Sequence, residues 1–253
     1  MIVQLTDIFR YPVKGLAPQS LPFADLEAGR PMAGDRKFAL AHKASKYDPA
    51  DPVWVKRNNF VVVALTPKLA TIATQYDDAK GIITVTDHDG VDHSFNLSKP
   101  DDMSRFGSLI ESYGGAAQPA PYTLAHVPGG TLADRDTQTL SLHNSASHDA
   151  VSASSNIELS RRRWRGNLWC NGLPAWEEFS WIGKDISIGS VRFAVTERIE
   201  RCAATSANTS TGERDIDMLS HLSTTYGHRD FGVLCKIISG GRIQPGDQIQ
   251  VHN

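Results

Sequence analysis

The chain is poor in the features that most often reveal chemistry on inspection. Its 253 residues include three cysteines, Cys170, Cys202 and Cys235. These are too few and too widely spaced for a disulfide framework or a four-cysteine zinc or iron–sulfur site. Such usage fits a reducing compartment, so a cytoplasmic location is expected. Long apolar runs are missing too: the longest, Phe60 to Leu65, falls far short of the roughly 20 residues that span a bilayer. Asp7 interrupts the only apolar stretch at the N-terminus, which argues against a secretory leader, and no membrane partner is expected. Nor is there an excess of one charge. The 26 Lys and Arg against 28 Asp and Glu leave a formal net charge of −2, which argues against nucleic acid or anionic lipid as the main partner. Neither a Gly-rich phosphate loop nor a Gly-x-Ser-x-Gly elbow occurs, so nucleotide-dependent and α/β-hydrolase chemistry lack their usual support.

At 40% hydrophobic and 21% charged residues, the composition is that of a folded chain, long enough to bury about three quarters of its unfolded surface. Its texture is β-rich: short branched and aromatic runs separated by turn residues, as in small antiparallel sheets or barrels. Ile82 to Thr86 and Val91 to Leu97 flank Asp87-His88-Asp89-Gly90 as a hairpin. A strand pair turns at Gly189-Ser190. Val233 to Ile238, Gly240-Gly241, Pro245-Gly246-Asp247 and Gln248 to Val251 read as a C-terminal hairpin. A helix is predicted after Pro100, with Met103, Phe106, Leu109, Ile110 and Tyr113 on one face and Gly114-Gly115 ending it. A shorter one is predicted to start at Ser155, whose Ser155-x-x-Glu158 spacing is that of a capping box, and a third near Asp215 to Leu222. Ala116 to Pro121 has linker composition, dividing the chain into domains 1–115 and 116–253.

For chemistry, the histidine pairs His88/His93, His143/His148 and His221/His228 lack metal-ligand spacing, and Asp89-Gly90 explains the first as a turn. More telling are cations at expected strand ends: Lys14, Arg36 and the run Arg161-Arg162-Arg163-Trp164-Arg165. Together they suggest an anion pocket, although a helix end would equally account for the last group. Cys202 lies between Arg201 and a loop rich in Thr, Ser and Asn. An adjacent arginine favours the thiolate, so Cys202 is a candidate nucleophile, sulfur carrier or soft-metal ligand. Cys170 and Cys235 sit in apolar runs and are expected in the core.

These segments together resemble the MOSC family, named for the C-terminal domain of molybdenum-cofactor sulfurases. The resemblance is carried by Tyr11-Pro12-Val13-Lys14-Gly15-Leu16, Gly34-Asp35-Arg36, Arg163-Trp164-Arg165-Gly166-Asn167, Glu200-Arg201-Cys202-Ala203-Ala204-Thr205, Gly227-His228 with Asp230-Phe231-Gly232, and Pro245-Gly246-Asp247. Gly15 stands where many members have Ser, and Gly166 where many have Pro. The resemblance implies a mainly β architecture, an N-terminal β-barrel-like domain and a C-terminal MOSC β-barrel with a few short helices, with the site between them. In the amidoxime-reducing component group, similar in layout, the equivalent of Cys202 ligates molybdenum carried on a pyranopterin. By that likeness Cys202 is catalytic and the metal ligand. Lys14, Arg36, Asn144, Arg163, Arg165, Asn167, Arg201 and Thr205 would bind a molybdopterin-type molybdenum cofactor. The implied activity is reduction of small N-oxygenated compounds with electrons from a separate reductase or ferredoxin-type partner; flavin, haem, iron–sulfur cluster and pyridoxal phosphate are not expected on this chain. The alternative is a sulfur carrier using a Cys202 persulfide.

Overall fold

Branched and aromatic runs punctuated by Gly, Pro and Asp fold as strands, where such side chains pack on a pleated surface. The computed structural model describes residues 2–114 and 117–252 and is mainly β. Its first half contains β1 (Gln4–Arg10), β2 (Gln19–Leu21), β3 (Ala24–Leu26), β4 (Phe38–Ala41), β5 (Ala73–Asp77), β6 (Ile82–Thr86), β7 (Asp92–Asn96) and β8 (Thr123–His126), with helix α1 (Pro100–Glu111). The second half contains β9 (Thr139–Asn144), β10 (Leu168–Asn171), β11 (Asp185–Ile188), β12 (Val191–Glu200), β13 (Asp230–Ser239), β14 (Gly241–Ile243) and β15 (Ile249–His252). Helices α2 (Ser145–Ser155) and α3 (Met218–Tyr226) lie among them.

The principal sheet runs β15-β11-β12-β13-β9-β10-β1-β2. Only the β9–β10 pair in it is parallel. It closes on itself where Gln4 bridges Gln248, Leu5 N donates to Asp247 O (2.9 Å) and Ile249 N donates to Val3 O (2.8 Å). Closure removes the open edges a flat sheet would expose. β1 is therefore a stave of the C-terminal barrel. Inside are Leu5, Ile8, Leu140, Leu142, Leu168, Phe193, Val233 and Ile237, together with Cys170 and Cys235, all buried. Burial pushes both core thiols up, Cys235 to about 12.

The first half packs around a second core. There β5-β6-β7 and β4-β8 form small sheets, and α1 inserts Phe106 against Phe95, ring centroids 5.5 Å apart. The β6–β7 hairpin and the β11–β12 pair form at the predicted turns. The predicted division at 115/116 falls on residues outside those described, as does Gly115 of the predicted helix stop. Strands from both sides of it share the barrel sheet.

Two predicted elements are corrected. No helix starts at Ser155; α2 ends there, because Asn156 adopts φ 53° and terminates it. The C-terminal segment is not a hairpin with β13, since β14 pairs with β3 and β15 with β11. The third predicted helix begins later than expected, at Met218, capped by the Asp217 side chain. Among the described residues, no helix is long and apolar enough to cross a membrane.

Candidate functional site

Side chains alternate across a strand, and β9 and β13 use both faces. Leu140, Leu142, Val233 and Cys235 face the barrel core. Their neighbours Thr139, Ser141 and Leu234 face outward and floor a cavity of about 200 Å³, which the first half of the chain roofs with Lys14, Arg36 and Arg57.

The segment after β1 supplies the roof. Val13 bridges Phe38, and Lys14 N donates to Phe38 O (2.8 Å). Gly15 adopts φ +92°, and a Cβ there would lie 2.6 Å from Val61 O. That close approach excludes the serine found in many family members. Tyr11 N donates to the buried Asp35 carboxylate (2.9 Å), which also pairs with Arg36. Arg36 Nη2 donates to Arg165 O (2.9 Å), and Arg165 Nη1 donates to Leu16 O (3.0 Å). Both arginines are held at positive φ, 48° and 53°, a backbone cost that non-glycine residues carry only where surrounding contacts hold them there. Their guanidiniums lie 4.6 and 4.7 Å from the centroid of the Tyr11 ring. The Tyr11 hydroxyl is buried without a partner, and burial raises its pKa to about 12.

β12 supplies the opposite wall. Register shifts between Val195 and Glu197 and between Arg198 and Glu200 re-aim its end. Arg201 N then donates to Arg229 O (2.9 Å), and the Arg201 guanidinium hydrogen-bonds Trp164 O. Arg201 Nε is buried and unpaired, and burial, helped by Arg36, lowers the guanidinium to about 10. Cys202 opens a tight turn, Ala203–Ser206. Thr205 fixes that turn, its hydroxyl donating to Cys202 O (2.9 Å) and its N–H to the same oxygen (3.1 Å). The thiol is half-buried at the cavity wall. Arg57 faces it. Burial disfavours the Arg57 charge, but Cys202 and Asp134 more than compensate and raise its pKa.

Of the residues predicted from sequence, Lys14, Arg36, Arg165, Asn167, Arg201, Cys202 and Thr205 line this cavity. Asn144 and Arg163 do not. Asn144 caps α2 by accepting from Ala146 N (3.0 Å), and its amide donates to Pro174 O (2.7 Å) and the buried Glu178 carboxylate (3.0 Å). Arg163 is 2% exposed and pairs with Asp215 at 2.5 Å. Arg57 and Asp134 are cavity residues that sequence reasoning missed. Arg57 begins a short 3-10 turn and Asp134 lies in a loop, neither within a motif, and only tertiary contact brings them together.

Six cations, with Arg135, face the acids Asp35, Asp134 and Glu200 around the cavity. Burial lowers the Lys14 and Arg165 pKa values. A crowded, partly desolvated cation set of this kind gains most from an anion that accepts several charge-assisted hydrogen bonds. Among the described residues, no three His, Cys, Asp or Glu side chains converge on a metal position. A metal at Cys202 would therefore take its other ligands from the group it arrives with. The residues present fit a ligand with a phosphate at one end and a thiophilic metal at the other.

A family model described as the MOSC domain matches residues 129–250, and one described as the MOSC N-terminal beta barrel domain matches residues 2–116. Among curated proteins, molybdenum cofactor sulfurase from Bos taurus is 34% identical over 107 residues, covering 34% of this chain and 12% of that protein. Its Homo sapiens counterpart is 33% identical over 114 residues, covering 37% and 12%. The chain thus spans only a small part of the length of these relatives. Among solved structures, the YuaD protein from Bacillus subtilis aligns over 100% of this chain and 97% of its own, at 11% identity and a TM-score of 0.47. YiiM from Geobacillus stearothermophilus aligns over 45% and 54%, at 15% identity and a TM-score of 0.37.

Proposed function

Because the chain belongs to the MOSC family, we propose that its cavity holds a phosphate-bearing molybdenum cofactor and that the protein is an oxidoreductase acting on small N-oxygenated compounds. The observation that carries this reading is the conjunction of an under-neutralised cation set, including the unpaired Arg201 Nε, with a half-buried thiol on the same wall. When bound, the group would supply a metal able to change oxidation state and accept an oxygen atom.

The chain's own residues bind and orient. Lys14, Arg36, Arg165 and Arg201 surround the phosphate end, and Tyr11 packs beneath two of those guanidiniums. Cys202 would be the protein's ligand to the metal, with the Arg57 guanidinium beside it. The first half of the chain covers the barrel wall and keeps bulk water from the cations, which strengthens each contact. Electrons come from a separate donor protein of reductase or ferredoxin type.

The test is elemental analysis for molybdenum, with pterin release, on protein made in cells that load a control molybdoenzyme. Near-stoichiometric metal is expected in the native protein, with loss in Cys202→Ser and Arg201→Gln. Metal-loaded protein with a chemical electron donor should then reduce hydroxylamines or amidoximes; failure with all of them removes the reductase reading.

A second reading shares the same cysteine. Cys202 alone of the three cysteines lies outside the barrel core, and the cation of Arg57 would stand beside a persulfide formed there. In this case no metal is found, and intact mass after treatment with a cysteine desulfurase gains one sulfur that Cys202→Ala abolishes.

A further inference from the structure

Lys14 is 5% exposed and its ammonium pairs with Asp134, whose side chain is 56% exposed. The other Asp134 oxygen lies 3.8 Å from Arg57 Nη1. The carboxylate thus lies at the mouth of the cavity, against the cations that a ligand's phosphate would use. We propose that Asp134 is a tethered stand-in for that phosphate: it neutralises Lys14 and Arg57 while the cavity is empty, and the incoming phosphate displaces it. The proposal rests on the cation cavity of the reading above, but not on the metal.

The backbone is arranged for such an exchange. Up to Ala133 the segment is anchored: Thr131 Oγ1 donates to Asp35 O (2.9 Å), Leu132 N to Arg36 O (2.8 Å), and Trp54 Nε1 to Ala133 O (3.0 Å). Leu132 itself is fully buried. Beyond it, among the described residues, the backbone of Asp134, Arg135 and Asp136 makes no hydrogen bond. Only ion pairs hold this strap, Asp134 on the cations and Arg135 on Glu197 at 2.5 Å. Lys14 keeps a second acceptor throughout, Leu132 O at 2.8 Å, so exchange does not strand a buried ammonium without any partner.

Displacement sets selectivity. A tethered carboxylate competes at high effective concentration with every free anion. A monoanion offers the cations no more than Asp134 already does, whereas a phosphate brings a second charge and more acceptors, and its reach extends to Arg36, Arg165 and Arg201. The stand-in therefore rejects common small anions without excluding the ligand, a use of competition for specificity. It also offsets part of the lowering that burial imposes on the Lys14 ammonium.

The test uses inorganic phosphate on metal-free full-length protein at constant ionic strength, by calorimetric titration and by thermal midpoint. If the cradle is free in about a tenth of native molecules, Asp134→Asn binds phosphate about tenfold more tightly. Asp134→Glu, which keeps the charge, stays within about twofold of the native protein. Should Asp134→Asn be too unstable for titration, its midpoint must rise more with phosphate than that of the native protein, because ligand restores the missing counter-charge. Equal or weaker phosphate binding by Asp134→Asn, or an equal midpoint rise, overturns the proposal. Molybdenum content reads the proposed function separately: protein without metal whose Asp134→Asn form gains phosphate affinity keeps the stand-in and loses the cofactor, and the reverse result does the opposite.

Discussion

Replacing Gly166 with alanine adds one methyl where the structure leaves no room. A Cβ on residue 166 would lie 2.1 Å from His143 Cδ2 and 2.4 Å from its Nε2, far inside van der Waals contact. The imidazole cannot retreat. It is fully buried, and the rings of Trp169, at 5.1 Å, and Phe231, at 5.5 Å, both pack against it. Its far edge meets Gly232, where a Cβ would lie 2.5 Å from Nδ1. With the ring fully buried and both of its edges closed by backbone, the cost falls at the upper end of the overpacking range, ~3 kcal/mol. For a chain of this size that lowers the thermal midpoint by about 6–12 °C. Because Gly166 lies between Arg165 and Asn167, the backbone shift also displaces two cavity residues and weakens phosphate binding. A double-mutant cycle isolates the clash. His143→Ala alone leaves a cavity and costs ~2–3 kcal/mol, yet combined with Gly166→Ala it removes the ring the methyl strikes, so the pair is less destabilised than the sum by ~2 kcal/mol. Denaturant unfolding of the four proteins is the assay. Gly166→Ala within about 0.5 kcal/mol of the native protein, or two strictly additive losses, refutes the reasoning. The same contact accounts for glycine where many family members carry proline, whose ring has the Cβ that His143 excludes.

Two further outcomes follow from the buried polar groups. Burial lowers the pKa of His143, helped by Arg201 and Arg36, and burial likewise lowers His126 and His148. Each is therefore protonated in the unfolded chain at a pH where the native chain keeps it neutral. Native stability from this source is complete above about pH 6.5 and is lost as pH falls below it, for His143 by at most ~1.4 kcal/mol per pH unit. Urea unfolding between pH 6.5 and 5 should show a shallower loss in His143→Leu than in the native protein; parallel slopes would contradict the assignment. Asn144→Ala removes the cap of α2 and a partner of the buried Glu178, and is expected to cost ~2–3 kcal/mol while leaving phosphate affinity unchanged. A drop in affinity with intact fold would return Asn144 to the cavity.

What could be read in the sequence was what local chemistry determines. Asp89-Gly90 and Gly189-Ser190 force turns whatever surrounds them, and the β6–β7 and β11–β12 pairs formed there. Helix α1 announced itself by its apolar face, with Phe106 and Ile110 buried. Helix α2 did not, because Ser145–Ser155 is rich in serine and carries a single large apolar residue, Val151, so no apolar stripe marks it. It is held instead by the Asn144 cap and by burial of Val151 and His148. Ser155-x-x-Glu158 has the spacing of a helix start, but the left-handed Asn156 makes it a helix end. The C-terminal strands illustrate the other limit: β14 finds its partner β3 more than two hundred positions away, and no turn signal carries that information. At the site, motif residues such as Arg36 and Cys202 stood out, whereas Arg57 and Asp134 acquire meaning only once folding brings them to the same cavity.

Asn167 explains why the cavity needs both halves of the chain. Its Nδ2 donates to Phe9 O in β1 (3.2 Å), and its Oδ1 accepts from Ser141 Oγ in β9 (3.1 Å), while its own N–H donates to that hydroxyl (2.9 Å). Arg36 Nη1 reaches the same Oδ1 at 3.5 Å. The amide thus ties two barrel strands to a roof arginine, and most of its hydrogen-bonding capacity is spent inside the protein. Its contribution to a ligand is consequently geometric: it sets where Arg36 and Arg165 stand rather than offering a free amide of its own. Since β1 is a barrel stave and leads directly into Tyr11 and Lys14, the barrel cannot close without carrying the roof's cations to the wall that bears Cys202.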